Sequence, residues 1–195
     1  MNDLILLGIT AALINNLLLV QLLGVESLPN ASKSIKSAAK FGLLVTFVML
    51  CATVLTWYTN SALRYLHGII PVEHLQTLTF VVVVAGFTQL CGLLIRKKIP
   101  SLHKRIGRDF KAVTVNSAIL GIVIININQP EILSDRFARA MIDGGAAALS
   151  FLIALVILAG IRERLELHNV PKPLQGIPIA LISAALIAIP FMALR

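Results

Sequence analysis

The sequence predicts an all-α integral membrane protein, and three observations lead to that fold class. The mean hydropathy of the 195 residues is +0.89, and 57% of them are hydrophobic. Only 13% are charged, whereas soluble domains usually carry about a quarter charged residues. The six longest apolar stretches contain no Asp, Glu, Lys or Arg. Such a chain has too little polar surface to cover a globule in water, so membrane lipid is its first predicted partner.

Each apolar stretch predicts one transmembrane helix. A helix needs roughly 20 apolar residues to cross about 30 Å of hydrocarbon, and the fourth and fifth stretches are nearest the lower limit. We expect these two to be tilted, broken or extended by flanking residues. The first stretch lacks the basic start and cleavage site of a signal peptide, so it is expected to be retained. The stretches are Leu4–Leu23, Phe41–Leu63, Leu75–Ile95, Ala112–Gln129, Gly144–Ile161 and Leu174–Leu194.

The basic residues are unevenly distributed across the predicted loops. With six crossings, 13 of the 17 lysines and arginines fall on one side of the membrane. Cytoplasmic loops are enriched in Lys and Arg, so that side is predicted to be cytoplasmic and both termini periplasmic. Because the net charge of +8 resides in loops between apolar stretches, we expect no nucleic-acid binding.

The chain is a single predicted membrane domain that divides into two halves. An offset of about 101 residues places Asn15 and Asn16 of the first stretch on Asn116 and Ser117 of the fourth. Each half then holds three spans, an odd number, so the second half must be inverted in the membrane. Repeat one is predicted over about 1–98 and repeat two over about 99–195. Such repeats carry helix breaks near a functional site at the midplane, and spans one and four are expected to be broken.

Two interpretations of the asparagines remain open. Amide groups in hydrocarbon are costly unless they are hydrogen-bonded. Asn15, Asn16 and Asn116 either hold neighbouring helices together or brace helix breaks around an ion path.

Few other residues suggest chemistry. The sequence contains no nucleophile–base pair, phosphate loop or metal-ligand cluster, and its histidines are scattered through predicted loops. Cys51 and Cys91 lie within predicted spans, as small hydrophobic side chains. Asp143 is either a cation ligand or a solvated charge at a helix start. Glu26 is a surface acid if span one ends before it, and a buried ion or proton site if that helix breaks in mid-membrane.

Several segments resemble the A subunit of the Rnf electron-transport complex and its relatives, the D and E subunits of the sodium-pumping NADH:quinone oxidoreductase. The resemblance spans nearly the whole chain. Its most specific parts are the asparagine pair and a segment, Ile161–Leu165, that we otherwise interpret as a cytoplasmic helix end with local ion pairs. The segments are Ile14–Gly24, Thr46–Met49, Phe87–Gln89, Val115–Gly121, Ile125–Asn128, Ile161–Leu165, Val170–Pro171 and Gly176–Ala184.

The resemblance implies a six-helix subunit of a translocase in a bacterial inner membrane. Its partners are other Rnf-type subunits, especially the homologous E subunit, with which it shares a [2Fe–2S] cluster. The complex moves electrons between ferredoxin and NAD and couples this to Na⁺ or H⁺ transport. This chain would serve as scaffold and ion-path lining, without catalysis of its own.

The chain departs from the family at the cluster. The two positions that the resemblance assigns to cluster cysteines hold Glu26 and Ser117, and oxygen ligands suit iron–sulfur clusters poorly. We therefore expect no cofactor and no metal on this chain, with Glu26 and Ser117 as non-functional ligand positions. Glu26 is instead a candidate for the ion path. The alternatives are a stand-alone secondary transporter with the same repeat, or a divergent non-catalytic paralogue.

Overall fold

The computed structural model describes residues 16–32, 34–65, 72–98, 107, 109–114, 116–127, 136–168 and 170–193. All regular structure within these ranges is helical. The α-helices are α1 (Leu28–Ala31), α2 (Ile35–Tyr65), α3 (Val72–Lys98), α4 (Ser117–Ile127), α5 (Arg136–Glu166) and α6 (Ile177–Ala193). Short 3₁₀ turns occupy Val25–Ser27 and Lys172–Leu174, and residues 109–114 are helical as well.

Helices α2 and α5 form the centre of the fold and run antiparallel. Small residues let them approach closely, as in many membrane helix pairs. A Cβ on Gly42 would collide with Leu152 Cδ1, and one on Gly144 would lie 2.6 Å from Thr53 Oγ1. Gly42, near the start of α2, therefore lies beside Leu152 in the second half of α5, whereas Thr53 lies beside Gly144, near the start of α5. This pairing is that of antiparallel helices. The core includes Val45, Met49, Phe151, Leu155 and Leu158, all at most 1% exposed.

Helices α2, α3 and α5 each contain a segment long and apolar enough to cross a membrane. These segments are Ile35–Leu63, Gln76–Lys98 and Ala140–Leu165, and α6 is a shorter apolar helix of 17 residues. They fall on the second, third, fifth and sixth predicted stretches. The predicted all-α, multi-pass membrane fold is thereby confirmed, while the six-span inverted repeat remains a prediction.

The fifth predicted stretch is longer in the structure than in the sequence-based prediction. Helix α5 has 31 residues and begins at Arg136, well before the apolar stretch that starts at Gly144. The helix continues through Arg136, Arg139 and Asp143 because its backbone hydrogen bonds do not depend on side-chain polarity. Asp143 therefore lies about two turns inside α5, and the expectation that it opens the helix is wrong.

The two ends of the α2–α5 pair differ in chemistry. Trp57 of α2 packs edge-on against Phe137 of α5 with ring centroids 4.9 Å apart, and Tyr58 beside them is exposed. Aromatic side chains of this kind are common at membrane–water interfaces. At the other end, Ile35 lies beside Gly160, and the nearby charges on both helices are mainly basic.

Candidate functional site

Asn16 organises the first described segment. Its Oδ1 accepts hydrogen bonds from the backbone N–H groups of Leu18 and Leu19 at 3.0 and 3.1 Å, and its Nδ2 donates to the carbonyl oxygen of Ser150 at 3.0 Å. The amide is 1% exposed, and each of its polar atoms has a partner. Asn16 therefore both starts a turn, as an N-cap residue does, and fixes that turn to α5.

The chain then turns through non-helical backbone from Asn16 to Gly24. Leu22 and Gly24 have positive φ angles of 56° and 83°. A Cβ at Gly24 would lie 2.5 Å from Phe151 Cε2 and 3.2 Å from the Cβ of Ala118. Gly24 is thus required twice, by its left-handed backbone and by the close approach of α4 and α5. Residues 16–23, at the end of the first apolar stretch, are therefore not helical, and the sequence predicts a break in this stretch.

Asn116 separates the helical residues 109–114 from α4, again where a break is predicted. Its Oδ1 accepts the N–H of Ala118 at 2.9 Å, which makes it the N-cap of α4. Asn116 is 2% exposed. Among the described residues, its Nδ2 has no hydrogen-bond acceptor.

Glu26 and Ser117 are in direct contact, although 91 residues separate them in sequence. Glu26 Oε1 accepts the backbone N–H of Ser117 at 2.6 Å, and Oε2 accepts the Ser117 hydroxyl at 2.9 Å. The same hydroxyl oxygen accepts the N–H of Gly24 at 2.8 Å. Both carboxylate oxygens are therefore satisfied by one residue at the first turn of α4.

Helix polarity favours this position for a carboxylate. The free N–H groups at a helix N-terminus carry partial positive charge and stabilise anions. Helix α4 has 11 residues and no acidic residue of its own in its first turn, so Glu26 supplies the negative charge from another segment. We refer below to Glu26, Ser117 and Gly24 as the crossover site.

The crossover site lies near the middle of the membrane-spanning fold. Gly24 is packed against Phe151, the central residue of α5, whose 31 residues extend over about 46 Å. Glu26 is nevertheless exposed on the surface of the single chain. Glu26 thus lies in the 3₁₀ turn that follows the first apolar stretch, on the surface of the single chain.

Residues important to this site include several that sequence reasoning missed. Asn15 falls outside the described residues, while Asn16, Asn116, Glu26 and Ser117 all lie around the two breaks. Gly24 and Ser150 were not predicted to contribute. A glycine directly after the apolar run is a signal for a turn with positive φ, whereas the carbonyl of Ser150 leaves no pattern in the sequence by which it could be found.

Among the residues that the structure describes, no group of three or more His, Cys, Asp or Glu side chains is placed to hold a metal ion. Cys51 and Cys91 are free, partly buried thiols on α2 and α3. The arrangement provides a hydrogen-bonded carboxylate at a helix N-terminus.

Comparisons with known proteins address the predicted family. The model of the Rnf-Nqr family, described as "Rnf-Nqr subunit, membrane protein", matches residues 4–195. The A subunit of the Na(+)-translocating ferredoxin:NAD(+) oxidoreductase complex of Acetobacterium woodii is 38% identical over 189 residues, which are 97% of this chain and 95% of that protein.

Relatives from other bacteria match over the same extent. The A subunit of the ion-translocating oxidoreductase complex of Edwardsiella ictaluri is 38% identical over 192 residues, covering 98% of this chain and 96% of that protein. Its namesake from Yersinia enterocolitica is 37% identical with the same coverage. With a family model over nearly every residue and full-length relatives, the chain belongs to the Rnf-Nqr family of membrane subunits.

Proposed function

We propose that this Rnf-type membrane protein works in a complex that couples electron transfer between ferredoxin and NAD to the movement of Na⁺ or H⁺. The relatives named above as subunits of such complexes, aligned over nearly the full chain, support this activity. The chain itself acts as scaffold and as lining of the ion path.

The observation that carries the proposal is the exposed carboxylate of Glu26 near the level of the α5 midpoint. Charged side chains at such a depth are costly in lipid and usually mark ion or proton pathways. The two hydrogen bonds from Ser117 hold the carboxylate in one place but leave its outer side uncovered in the single chain. A cation that approached from that side would meet a fixed anionic oxygen.

A partner subunit would cover the same surface. An acidic group cannot remain exposed to hydrocarbon without a large free-energy cost, so either protein or a water-filled path must lie against Glu26. We assign this position to the homologous E subunit, whose pairing the family resemblance implies. Helices α2 and α5 are antiparallel, each has 31 residues, and their starts are 101 residues apart in the sequence. These features support an inverted repeat and hence a pseudo-symmetric partner.

The residues at the crossover site do not fit the family's [2Fe–2S] cluster. Such clusters are usually held by cysteine thiolates, whereas Glu26 and Ser117 offer only oxygen atoms as side-chain ligands, and both carboxylate oxygens already accept hydrogen bonds from Ser117. No electron-transfer step is therefore assigned to this chain at that position. Its contribution there is to hold two chain segments together at the positions that the resemblance assigns to cluster cysteines.

The charge distribution supports a bacterial inner-membrane location with both termini periplasmic. Basic residues accompany the end of α5 and the start of α2, and three more close α3. By the positive-inside rule this end faces the cytoplasm. The Trp57, Tyr58 and Phe137 cluster at the opposite end would then mark the periplasmic interface.

The role in a complex is tested by purifying the tagged chain in mild detergent and identifying the proteins that co-purify. Flavin-bearing and iron–sulfur subunits in stoichiometric amounts are the expected result. A chain that emerges alone and moves solute when reconstituted would replace the proposal with a stand-alone transporter. A chain that co-purifies but whose deletion leaves electron transfer and ion movement unchanged would be a non-catalytic paralogue.

The role of Glu26 requires a separate variant in the intact complex. Glu26→Gln keeps the size of the side chain and removes its charge, so coupled cation transport should fall. Unchanged transport would overturn the ion-path role while leaving membership of the complex intact.

A further inference from the structure

A second polar site lies at the cytoplasmic end of the fold, where α5 ends and the chain turns into α6. It is a cavity of about 330 Å³, separate from the crossover site. Among the residues that the structure describes, its polar lining consists of Arg162, His168 and Gln175, and its apolar lining includes Leu165, Val170 and Ile179. We call it the Arg162 pocket.

Arg162 is a buried cation whose hydrogen-bond partners, among the described residues, are neutral. It is 6% exposed, and its Nη1 donates to the carbonyl oxygen of Leu28 at 3.1 Å and to the hydroxyl of Ser32 at 2.6 Å. Among side chains that the structure describes, no carboxylate forms an ion pair with it. Arg162 thus turns inward and binds the segment before α2, and the local ion pairs at this helix end stay a prediction.

A buried charge without a counterion is expensive. The carbonyl of Leu28 and the last turn of α5 offset part of that cost, because helix C-termini favour cations. These are partial charges, whereas a guanidinium pairs best with a full negative charge through its planar fork of donors. The pocket beside Arg162 therefore has the electrostatics of an anion site.

The rest of the described pocket lining is compatible with an anionic ligand. No acidic residue is present in its described lining. His168 and Gln175 are each anchored to the backbone, His168 Nδ1 to the Arg164 carbonyl at 2.8 Å and Gln175 Nε2 to the Val170 carbonyl at 2.9 Å. These bonds position two polar side chains around the pocket.

The surroundings match a lipid better than a soluble anion. Exposed apolar side chains continue along the face of α6 that carries the lining residue Ile179, where Ile182 is 42% and Leu186 63% exposed. Lys172, beside the pocket, is exposed. A polar cavity at the membrane surface, with a basic rim and an apolar helix face below it, can receive a headgroup above and acyl chains beneath.

We infer that the Arg162 pocket binds the phosphate of an anionic phospholipid headgroup, with the acyl chains lying along α6. Basic pockets between transmembrane helices on the cytoplasmic side bind such headgroups in other membrane proteins. The bound phosphate would neutralise Arg162 and so brace the junction between α5 and the segment before α2. This inference does not depend on the ion-transport role of Glu26.

The test uses the intact complex, delipidated in detergent and titrated with phosphatidylglycerol, with phosphatidylcholine as the zwitterionic comparison. Native mass spectrometry counts the lipids retained. Gln175→Glu places an acid in the pocket without touching the bonds of Arg162, and phosphatidylglycerol retention should fall roughly fivefold to tenfold, the effect of about one charge near the surface. Arg162→Lys, which loses the guanidinium fork, should also reduce retention, but it removes bonds to Leu28 and Ser32 as well.

Two controls separate the pocket from general surface charge. Gln76→Glu is the same substitution on α3, where Gln76 also donates one hydrogen bond, to Asn60. Lys98→Gln removes an exposed cation at the end of α3, outside the pocket lining. Both should retain phosphatidylglycerol nearly as the unmodified complex does.

Three results would overturn the inference. Equal retention of the two lipids would remove the preference for an anion. Retention in Gln175→Glu that matches Gln76→Glu would place the lipid elsewhere. Inorganic phosphate that binds with the same dependence on Gln175 while phosphatidylglycerol does not would make the ligand a free phosphate.

Discussion

The two asparagines at the helix breaks are the same residue in similar apolar surroundings, yet they form different contacts. Asn16 accepts two backbone N–H groups and donates to α5, so every polar atom of its amide is engaged. Asn116 accepts one N–H group, and its Nδ2 has no acceptor within the described structure. Asn16 therefore fixes the first segment to α5, whereas Asn116 caps the start of α4.

This difference shows how one sequence pattern serves two structural roles. Asn16 and Asn116 both accept backbone N–H groups just after them, and their positions in the sequence differ by 100 residues. The starts of α2 and α5 differ by 101 residues. After Asn16 the chain makes an irregular turn that ends at Gly24. After Asn116 the chain enters α4, whose N-terminus receives Glu26 from that turn. The two breaks are therefore complementary, one supplying the anion and the other the helix end.

The largest expected effect is at the turn of the first break. Gly24→Ala would strain a left-handed backbone and drive a methyl group to 2.5 Å from Phe151, at a cost of about 2–4 kcal/mol. Thermal unfolding of the purified chain in detergent measures the loss.

Two glycines provide controls for that substitution. Gly176 has a φ of 85° but open space around it, so Gly176→Ala should isolate the smaller cost of backbone strain. Gly86 lies in α3 with no atom in the way, so Gly86→Ala should leave stability unchanged or slightly higher. A Gly24→Ala chain as stable as Gly86→Ala would mean that the turn does not pack on α5.

Substitution of Asn16 should destabilise the chain more than substitution of Asn116. Asn16→Ala removes three hydrogen bonds and leaves two buried N–H groups unpaired, which should cost about 2–3 kcal/mol. Asn116→Ala removes one cap bond and should cost about 1 kcal/mol. Parallel thermal unfolding of the two variants decides the ranking, and equal losses would show that the two breaks are equivalent after all.

Ser117→Ala tests the bridge between the breaks. The substitution deletes the hydroxyl that accepts the Gly24 N–H and donates to Glu26, and the lost bonds should cost about 1–2 kcal/mol. Ser117→Thr keeps the hydroxyl and should recover most of that loss in the same unfolding assay. If Thr and Ala variants behave alike, the hydroxyl does not bridge the segments.

The smallest expected effect on stability belongs to Glu26→Gln. An amide oxygen can still accept the Ser117 N–H, and the amide nitrogen can donate to the Ser117 hydroxyl oxygen in place of the bond that Oε2 accepts. The main loss is therefore the charge at the helix N-terminus, worth less than about 1 kcal/mol at an exposed position. Thermal unfolding should therefore scarcely distinguish Glu26→Gln from the unmodified chain. A large loss would make the carboxylate a structural element instead of an ion-path residue.

The sequence predicted the breaks because amides within apolar runs are costly and need backbone partners, which Asn16 and Asn116 have. It could not predict the contact of Glu26 with Ser117, which depends on how two distant segments pack; only the family resemblance brought those positions together. Nor could it predict that Arg162 binds a carbonyl and a hydroxyl that lie 134 and 130 residues away in sequence. Helix α5 was underestimated because charged residues interrupt its apolar run without ending the helix.

The most direct test of the ion-path role is cation uptake by the complex reconstituted in liposomes, measured together with NAD reduction. Glu26→Gln is compared with Glu163→Gln, the same substitution at an exposed position in the last turns of α5. If Glu26 lines the path, cations moved per NAD reduced should fall at least severalfold in Glu26→Gln and stay unchanged in Glu163→Gln. Equal ratios in the two variants, with both complexes intact, would contradict that role.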